Sequence, residues 1–358
     1  MKIGILTHHY VKNFGAYMQG YALIQTVKNI CPEARVEIID YRVKKHELKN
    51  TIHFFGFKPG RGDTIRGYIG KIGLFFTHRA YEKRMPRRRK VNSSSEINAL
   101  NYDLIIVGAD EVWNFNDCAY DAIKFGYGLD APLITYSASA GGSSIKDHIS
   151  PEIKKGIRNF KNISVRDEKT EELAKKLVNN RKKIERTLDP VFLYDYDFKV
   201  RDKVREFIKK PYILIYDCRL KNDQAREIES FANRNDLNII GAGEYRKWYT
   251  IHAENITPFE WAFLFKKAWG IVTGTFHGTS FAIKYNRNFV AFLTEENRVN
   301  KVKSLLKEFD LSERIVMENN WGQILSILQK SIDYSNVNKI LDKKIKQSKR
   351  YLFENIEK

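Results

Sequence analysis

A histidine stands between a short apolar run and a stretch typical of the start of a helix. The segment from Gly274 to Asn286 reads GTFHGTSFAIKYN and follows the β-branched run WGIVT. Such a run is typical of an interior parallel strand, so we expect His277 at a strand-to-helix crossing. Ligands of open α/β sheets lie at such crossings, where N–H groups of the first helical turn favour an anion. An imidazole there can donate or accept a proton near neutral pH, although a packed structural histidine is the alternative.

Three further loops follow predicted strands in the N-terminal half and carry polar side chains. The loop after the first strand contains turn residues and a glycine at which the backbone can come close to a ligand. The VGADEVWN loop offers side chains that can hydrogen-bond sugar hydroxyls and a tryptophan whose flat face can stack on a sugar ring. The YSASAGG loop adds two serines. The candidate substrate-binding residues of these loops are Asn13, Gly15, Gln19, Gly108, Asp110, Trp113, Asn114, Ser137 and Ser139. A helix cap with a core tryptophan is the alternative for VGADEVWN. None of the loops is a GxGxxG or Walker sequence, so the sequence does not indicate nucleotide binding.

Two arginines also follow predicted strands. Arg166 comes after ISV, and Arg219 ends YILIYDCR. A guanidinium group binds carboxylate or phosphate in a bidentate manner, so both are candidates for anion binding, with surface charge as the alternative. No HxxxH or DxD pattern is present at these loop ends, and we therefore expect neither a metal ion nor a cofactor.

The composition favours anionic partners. The 358 residues include 62 Lys and Arg against 43 Asp and Glu, a net charge of +19. The densest basic patch, residues 78–90, has seven Lys or Arg and one Glu, and we predict that it contacts an anionic membrane or a diphosphate, with a solvated surface segment as the alternative. The sequence has no zinc-finger, RNP or helix-turn-helix signature, so we expect no nucleic-acid partner.

The compartment is predicted from the cysteines and the N-terminus. Three widely spaced cysteines argue against a disulfide framework and favour the cytoplasm. The sequence MKIGILTHHY reads as a first strand rather than a signal peptide, and no apolar stretch approaches the roughly 20 residues that span a bilayer.

Strands and helices alternate along most of the chain. We therefore predict an α/β fold with two Rossmann-like, doubly wound domains facing across a cleft. The predicted domains are residues 1–200, residues 201–330, and a C-terminal helix at 331–358 that packs back on the first domain. Residues 44–95 interrupt the alternation, and we expect a helical or partly mobile excursion there. A further helix is predicted at 198–209.

Several motifs, taken in order, resemble the polysaccharide pyruvyl transferase family. They are NFGAYMQGYAL, VGADEVWN, SASAGG, ISVRDEKT, the DP of LDPVFLY, TGTFHGTSFAIKYNRNFVAF and the NR at Asn297 and Arg298. The resemblance implies a GT-B-like fold, with the first domain on the acceptor side and the second on the donor side. It also implies transfer of the enolpyruvyl group of phosphoenolpyruvate to a sugar, giving a pyruvate ketal, with His277 as general acid and base.

The family pattern also suggests the donor contacts and the setting. Arg166, Arg219 and Arg298 would hold the anionic donor, with Gly278, Thr279 and Asn297 beside it. The acceptor would be a capsule or exopolysaccharide precursor, with a link to a lipid diphosphate at the inner face of the plasma membrane as one option. Part of the family has an arginine two residues before the histidine, whereas this chain has Thr275. A glycosyltransferase that uses a sugar nucleotide and a non-catalytic glycan-binding protein therefore remain open alternatives.

Overall fold

The computed structural model describes residues 1–57 and 64–357, without the side chains of Glu296 and Asn297. Within this range the chain divides into two compact units. The first unit comprises Met1–Thr51, Glu82–Asp195 and Leu341–Lys358, and the second comprises Ile52–Tyr81 and Tyr196–Ile340.

The first unit is built on a six-stranded parallel sheet in the order β2-β1-β3-β4-β5-β6. The strands are β1 (Lys2–Leu6), β2 (Arg35–Ile38), β3 (Leu104–Asp110), β4 (Leu133–Ala138), β5 (Phe160–Val165) and β6 (Ile184–Arg186). In the register, Ile5 lies opposite Ile38 on one side and Ile106 on the other. The central strands are buried almost throughout, as expected for parallel strands covered on both faces. The strand order reverses between β1 and β3, where open α/β sheets bind ligands.

The helices of the first unit begin where the sequence supplies a cap. They are α1 (Phe14–Ile30), α4 (Ser94–Asn98), α5 (Pro151–Gly156) and α6 (Glu168–Leu177). The Asp167 side chain accepts a hydrogen bond from the backbone N–H of Thr170 at the start of α6. Such a cap satisfies one of the N–H groups that the first helical turn leaves unpaired.

The second unit has its own six-stranded parallel sheet, in the order β12-β11-β10-β7-β8-β9. The strands are β7 (Tyr212–Tyr216), β8 (Asn238–Ala242), β9 (Ile251–Ala253), β10 (Gly270–Thr273), β11 (Asn288–Leu293) and β12 (Ile315–Met317). Counted within the unit and read from β9, the order is 3-2-1-4-5-6, which is that of the dinucleotide-binding Rossmann fold. Its switch point lies between β7 and β10.

Short helices connect these strands. They are α7 (Asp202–Phe207), α8 (Asn222–Arg234), α9 (Pro258–Lys267), α10 (Phe276–Lys284), α11 (Glu296–Glu308) and α12 (Ile324–Gln329). A capping box begins α9, because the Thr257 hydroxyl accepts from the N–H of Glu260 and the Glu260 carboxylate accepts from the N–H of Thr257. Trp261 and Phe265 of this helix are buried against Phe281 of α10.

Three helices connect the two units along the chain. They are α2 (Lys44–Phe54), α3 (Ile65–Arg84) and α13 (Tyr334–Ile356). At the start of α13, the Tyr334 hydroxyl donates to the carbonyl of Arg287 in the second unit at 2.6 Å. Near its end, the Tyr351 hydroxyl donates to the carbonyl of Thr135 in the first unit at 2.9 Å. Each end of α13 is therefore hydrogen-bonded to the unit that contains it.

The two parallel sheets confirm the predicted α/β class with two Rossmann-like domains. Residues 52–81 belong to the second unit, which was not predicted, since the expected first domain was residues 1–200. Hydrogen bonds made within the second unit account for it, for example from the Thr77 hydroxyl to the Asn255 side chain at 2.7 Å. The helix predicted at 198–209 is shorter, at Asp202–Phe207.

Candidate functional site

His277 lies at the predicted strand-to-helix crossing, between β10 and α10 of the second unit. It is the second residue of α10, directly beyond the carboxyl end of β10 and therefore at the switch point of this sheet. Thr275 caps the helix, because its hydroxyl accepts a hydrogen bond from the N–H of Gly278 at 2.9 Å. The imidazole is 9% exposed and stands edge-on to the ring of Phe276.

The glycine after the histidine is required by packing. An ideal Cβ on Gly278 would overlap the Thr273 hydroxyl and lie 2.9 Å from the Thr275 hydroxyl. The turn that presents His277 is therefore held by tight contact between β10 and the start of α10. Thr279 is fully buried, and its hydroxyl donates to the carbonyl of Thr275 at 2.9 Å. Gly278 and Thr279 therefore hold the turn beside His277, and their predicted substrate contacts stay predictions.

Two arginines approach the same end of the sheet. In the first turn of α11, the Arg298 guanidinium donates to the Asp217 carboxylate at 3.0 Å and to the carbonyl of Gly274 at 3.2 Å. It also pairs with the Glu295 carboxylate at 2.8 Å. Arg219, in the loop after β7, forms an ion pair with the same glutamate. Glu295 is thus paired with both Arg219 and Arg298, while Asp217 is paired with Arg298, and the anion clamp expected of the two arginines stays a prediction.

Asp217 has an unusual backbone and an unusual acidity. Its φ of 46° lies in the left-handed region, which non-glycine residues adopt at a cost that is often met at functional sites. Burial raises the pKa of its carboxyl group, and the neighbouring Arg298 opposes that rise. The remaining residue of this predicted group, Asn297, has a side chain outside the described part of the structure.

The loop after β1 in the first unit is a helix start. The Asn13 side chain caps α1 by accepting from the N–H of Ala16 at 3.1 Å, and Gly15 is buried in the first turn. The Gln19 amide is fully buried and donates to the Thr7 hydroxyl at 3.1 Å. Asn13 and Gln19 are thus hydrogen-bonded within the fold and Gly15 is buried, and the substrate contacts expected of them stay predictions.

The VGADEVWN loop also turns inward. Gly108 has a φ of 131°, and a Cβ there would overlap the carbonyl of Tyr136, so the tight exit from β3 needs glycine. The prediction that Trp113 stacks on a sugar is wrong. Its ring is 0% exposed and lies parallel to Phe125 in the core, while its indole N–H donates to the carbonyl of Lys124 at 2.9 Å. Asn114 is hydrogen-bonded to Glu111 and Ser143.

Arg166 takes part in a buried ion pair rather than the predicted anion clamp. Its guanidinium donates to the Asp189 carboxylate at 2.9 Å and lies 3.5 Å from the Asp110 carboxylate. Burial alone would lower the pKa of this guanidinium, but the attraction of Asp189 and then of Asp110 raises it overall. The DP motif therefore supplies the carboxylate that compensates the buried arginine, and the predicted donor contact is corrected.

The two serines of the YSASAGG turn are buried as well. The Ser139 hydroxyl donates to the Asp167 carboxylate at 2.7 Å, and the Ser137 hydroxyl donates to the carbonyl of Thr187 at 3.4 Å. Ser137 and Asp110 both have positive φ angles, so the backbone at the ends of β3 and β4 is strained as it is at Asp217. Since both hydroxyls bond within the unit, their predicted substrate contacts are corrected too.

The first unit also contains a buried basic cluster that was not predicted from the sequence. Lys124 is 1% exposed, and its ammonium group lies 2.8 Å from Nε2 of His8, which follows β1. Burial lowers the pKa of Lys124 to about 7, and the nearby carboxylates of Asp121 and Asp117 oppose this shift. Burial and the charge of Lys124 lower the pKa of His8 well below its ordinary value.

His46, from α2, completes this cluster. Its ring lies 5.2 Å from that of His8, and its Nδ1 is 3.0 Å from the Tyr10 hydroxyl. Burial, followed by the charge of Lys124, lowers the pKa of His46 to about 4. The adjacent histidines at the end of β1 were the sequence signal for this cluster, but nothing in the sequence placed Lys124 beside them.

The predicted basic patch, residues 78–90, is partly neutralised. Glu82 is buried and accepts hydrogen bonds from Lys12, Arg42 and Arg87. Arg88 pairs with Glu37 at 3.1 Å. Part of the predicted membrane-binding charge is thus used inside the first unit.

The described residues contain neither a metal-binding group nor a membrane-spanning helix. No group of three or more His, Cys, Asp or Glu side chains there is placed to hold a metal ion. None of the helices in the same part of the chain combines the length and apolarity needed to cross a bilayer.

Comparisons with known proteins identify the family and support the fold. The family model described as polysaccharide pyruvyl transferase matches residues 13–296. A sequence search of curated proteins finds no match. The crystal structure of UGT89C1 from Arabidopsis thaliana is similar, with a TM-score of 0.50, 8% identity and 99% of each chain covered. A UDP-N-acetylglucosamine 2-epimerase gives a TM-score of 0.51 at 11% identity, covering 96% of this chain and 90% of that one. At such identities the likeness shows the fold alone, which is GT-B-like.

Proposed function

Because the chain belongs to the polysaccharide pyruvyl transferase family, we propose that it transfers the enolpyruvyl group of phosphoenolpyruvate to a sugar. The sugar belongs to a polysaccharide or glycan precursor, and the products are a cyclic pyruvate ketal and phosphate. The observation that carries the proposal is the position of His277 in the first turn of α10, at the switch point of the second sheet.

The reaction needs proton transfers that one histidine can perform. The imidazolium of His277 gives a proton to the methylene C3 of the donor, and a first sugar hydroxyl bonds to C2 and gives its proton to the resulting imidazole. A second hydroxyl then attacks C2, the C–O bond to phosphate breaks, and the second proton leaves with the phosphate. Atoms and charges balance, and His277 ends in its starting state.

The donor carries a carboxylate and a phosphate, which need cations. Arg219 is the more accessible of the two arginines, with a side chain 43% exposed, and Glu295 is its partner. We assign Arg219 to donor binding, with the donor replacing Glu295 beside it. Arg298 keeps its bond to Asp217 and to the carbonyl of Gly274, so it positions the β10–α10 turn while adding positive charge.

The direct test offers different donors to the purified protein with a panel of glycan acceptors. Phosphoenolpyruvate should yield phosphate and an acceptor heavier by one ketal-linked pyruvate, measured by mass spectrometry. Sugar nucleotides are the comparison, because release of a nucleoside diphosphate with sugar transfer would mean a glycosyltransferase instead. Glycan binding without turnover of any donor would mean a non-catalytic relative, and either result would overturn the proposal.

A further inference from the structure

Helix α3 exposes a continuous row of large apolar side chains. Ile65, Ile69, Ile72 and Phe76 are spaced by four, three and four residues, so they lie along one face of the helix. Their exposed fractions range from 41% to 78%. These four residues are called the α3 face below. A row of this kind on a folded protein marks an interaction surface, whereas single exposed apolar residues do not.

The opposite side of α3 explains why this face points outward. Three glycines, Gly67, Gly70 and Gly73, lie against residues 245–255 of the same unit. A Cβ on Gly70 would lie 2.8 Å from Glu254, and a Cβ on Gly73 would lie 2.8 Å from Asn255. The helix therefore packs on its glycine side at close range, which leaves the apolar row unpacked.

Positive charge predominates around the α3 face, where Arg66 also pairs with the Glu254 carboxylate at 3.6 Å. In the described parts of the segment, residues 52–57 and 64–81, there are three Lys or Arg and no Asp or Glu. Arg66 and Arg79 are exposed on the helix that carries the face. Two further apolar side chains of the segment, Ile52 and Phe57, are 64% and 45% exposed. Apolar side chains flanked by cations are what helices lying on an anionic bilayer present.

We propose that the α3 face docks on an anionic lipid bilayer, with its isoleucines and Phe76 among the acyl chains and its cations at the head groups. A second copy of this chain is a poorer occupant, because a symmetric contact would set Arg66 and Arg79 against like charges. The α3 face borders the basic patch at 78–90 and shares Arg79 with it, and within that patch Glu82 and Glu37 neutralise Arg87 and Arg88. The proposal does not depend on which donor the protein uses.

Vesicle co-sedimentation tests this docking. The wild-type protein is mixed with vesicles of phosphatidylcholine alone or with added phosphatidylglycerol. We expect binding to the anionic vesicles that weakens with salt, and at least about a tenfold weaker partition for the double variant Ile69→Asn, Phe76→Asn, since it loses most of the inserted apolar area. The matched control is Phe353→Asn, which removes a 49% exposed phenylalanine from α13 and should bind as the wild type does.

Each other outcome overturns the proposal. Wild-type protein that stays in solution with anionic vesicles contradicts it, and so does a double variant that binds equally well. If sedimentation velocity shows that the wild type is a dimer and the double variant a monomer, the α3 face binds a second copy of this chain instead. Thermal melting followed by circular dichroism confirms that the variants are folded. The variant His277→Gln should bind vesicles normally, so failed docking and failed catalysis remain distinguishable.

Discussion

Arg166 in the first unit and Arg298 in the second both lie beyond the end of a buried strand, but their surroundings differ. The Arg166 side chain is 2% exposed and bonded to Asp189, and the serines of the neighbouring turn bond to the fold as well. Arg298 is 24% exposed, and Arg219 beside it is more exposed still. The first unit therefore uses these polar residues to stabilise its own loops, while the second leaves Arg219 and Arg298 partly exposed to solvent.

This difference shows that polar residues after a strand can serve the stability of the fold rather than a site. A buried ion pair offsets the cost of two desolvated charges but has no capacity for a substrate. We therefore expect substitutions in the first unit to change stability and substitutions at the β10–α10 crossing to change activity.

The largest effect should come from His277→Gln. Loss of a general acid and base typically costs 10²–10⁴ in rate, so we expect a fall in kcat of about a thousandfold. The fold should persist, because the amide side chain has a similar shape. Steady-state rates and thermal melting measure the two quantities, and the exposed residue His148, changed to Gln, is the control. A His277→Gln protein that keeps its activity would contradict the expectation that substitutions at the β10–α10 crossing change activity.

Trp113→Ala should act on stability instead. The substitution empties a core position beside Phe125, and such truncations cost about 3–5 kcal/mol of unfolding free energy. Urea denaturation measures this loss. At a temperature where the variant is folded, the KM for the acceptor should be unchanged. A raised acceptor KM with normal stability would restore the role that the sequence suggested for this tryptophan.

Lys124 should make the stability of the first unit depend on pH. Burial holds its folded pKa at about 7, below its ordinary value of 10.5, so between these values the unfolded chain binds the proton and the folded chain does not. Unfolding free energy should therefore rise with pH over this window, by at most about 1.4 kcal/mol per pH unit. In Lys124→Met this contribution should vanish. Urea denaturation at several pH values measures both proteins, and equal slopes would show that Lys124 keeps its proton in the fold.

Glu295→Gln should give the smallest effect. Removing this carboxylate frees Arg219 from its ion pair, so the KM for the donor should fall severalfold. The control is Glu318→Gln, since Glu318 pairs with Lys221 elsewhere in the second unit. A higher donor KM would mean that Glu295 positions the arginines rather than competing with the donor.

Much of the fold could be predicted from the sequence because buried parallel strands carry a strong apolar signal. The first strand read from MKIGILTHHY is β1 at Lys2–Leu6, and the run WGIVT contains β10 at Gly270–Thr273. The strands β9 and β12 were missed, since three residues are too few to show a pattern. That residues 52–81 belong to the second unit was not predicted, because it depends on contacts between residues far apart in sequence, such as Thr77 with Asn255.

The candidate site could be predicted only in part. The position of His277 followed from local pattern, because a β-branched run is followed directly by a stretch typical of the start of a helix. The burial of Trp113 and Arg166 could not be read from the sequence, since it depends on Phe125 and Asp189. The cluster of His8 and Lys124 joins residues 116 positions apart, which no local pattern can reveal.

One measurement tests the central claim that His277 of the second unit performs the proton transfers of pyruvyl transfer. Wild-type protein and His277→Gln are each mixed with phosphoenolpyruvate and an acceptor glycan in a single turnover, and the pyruvylated glycan is followed by mass spectrometry. We predict product with the wild type and almost none with a folded His277→Gln protein that still binds the donor. Equal product from both proteins would contradict the claim.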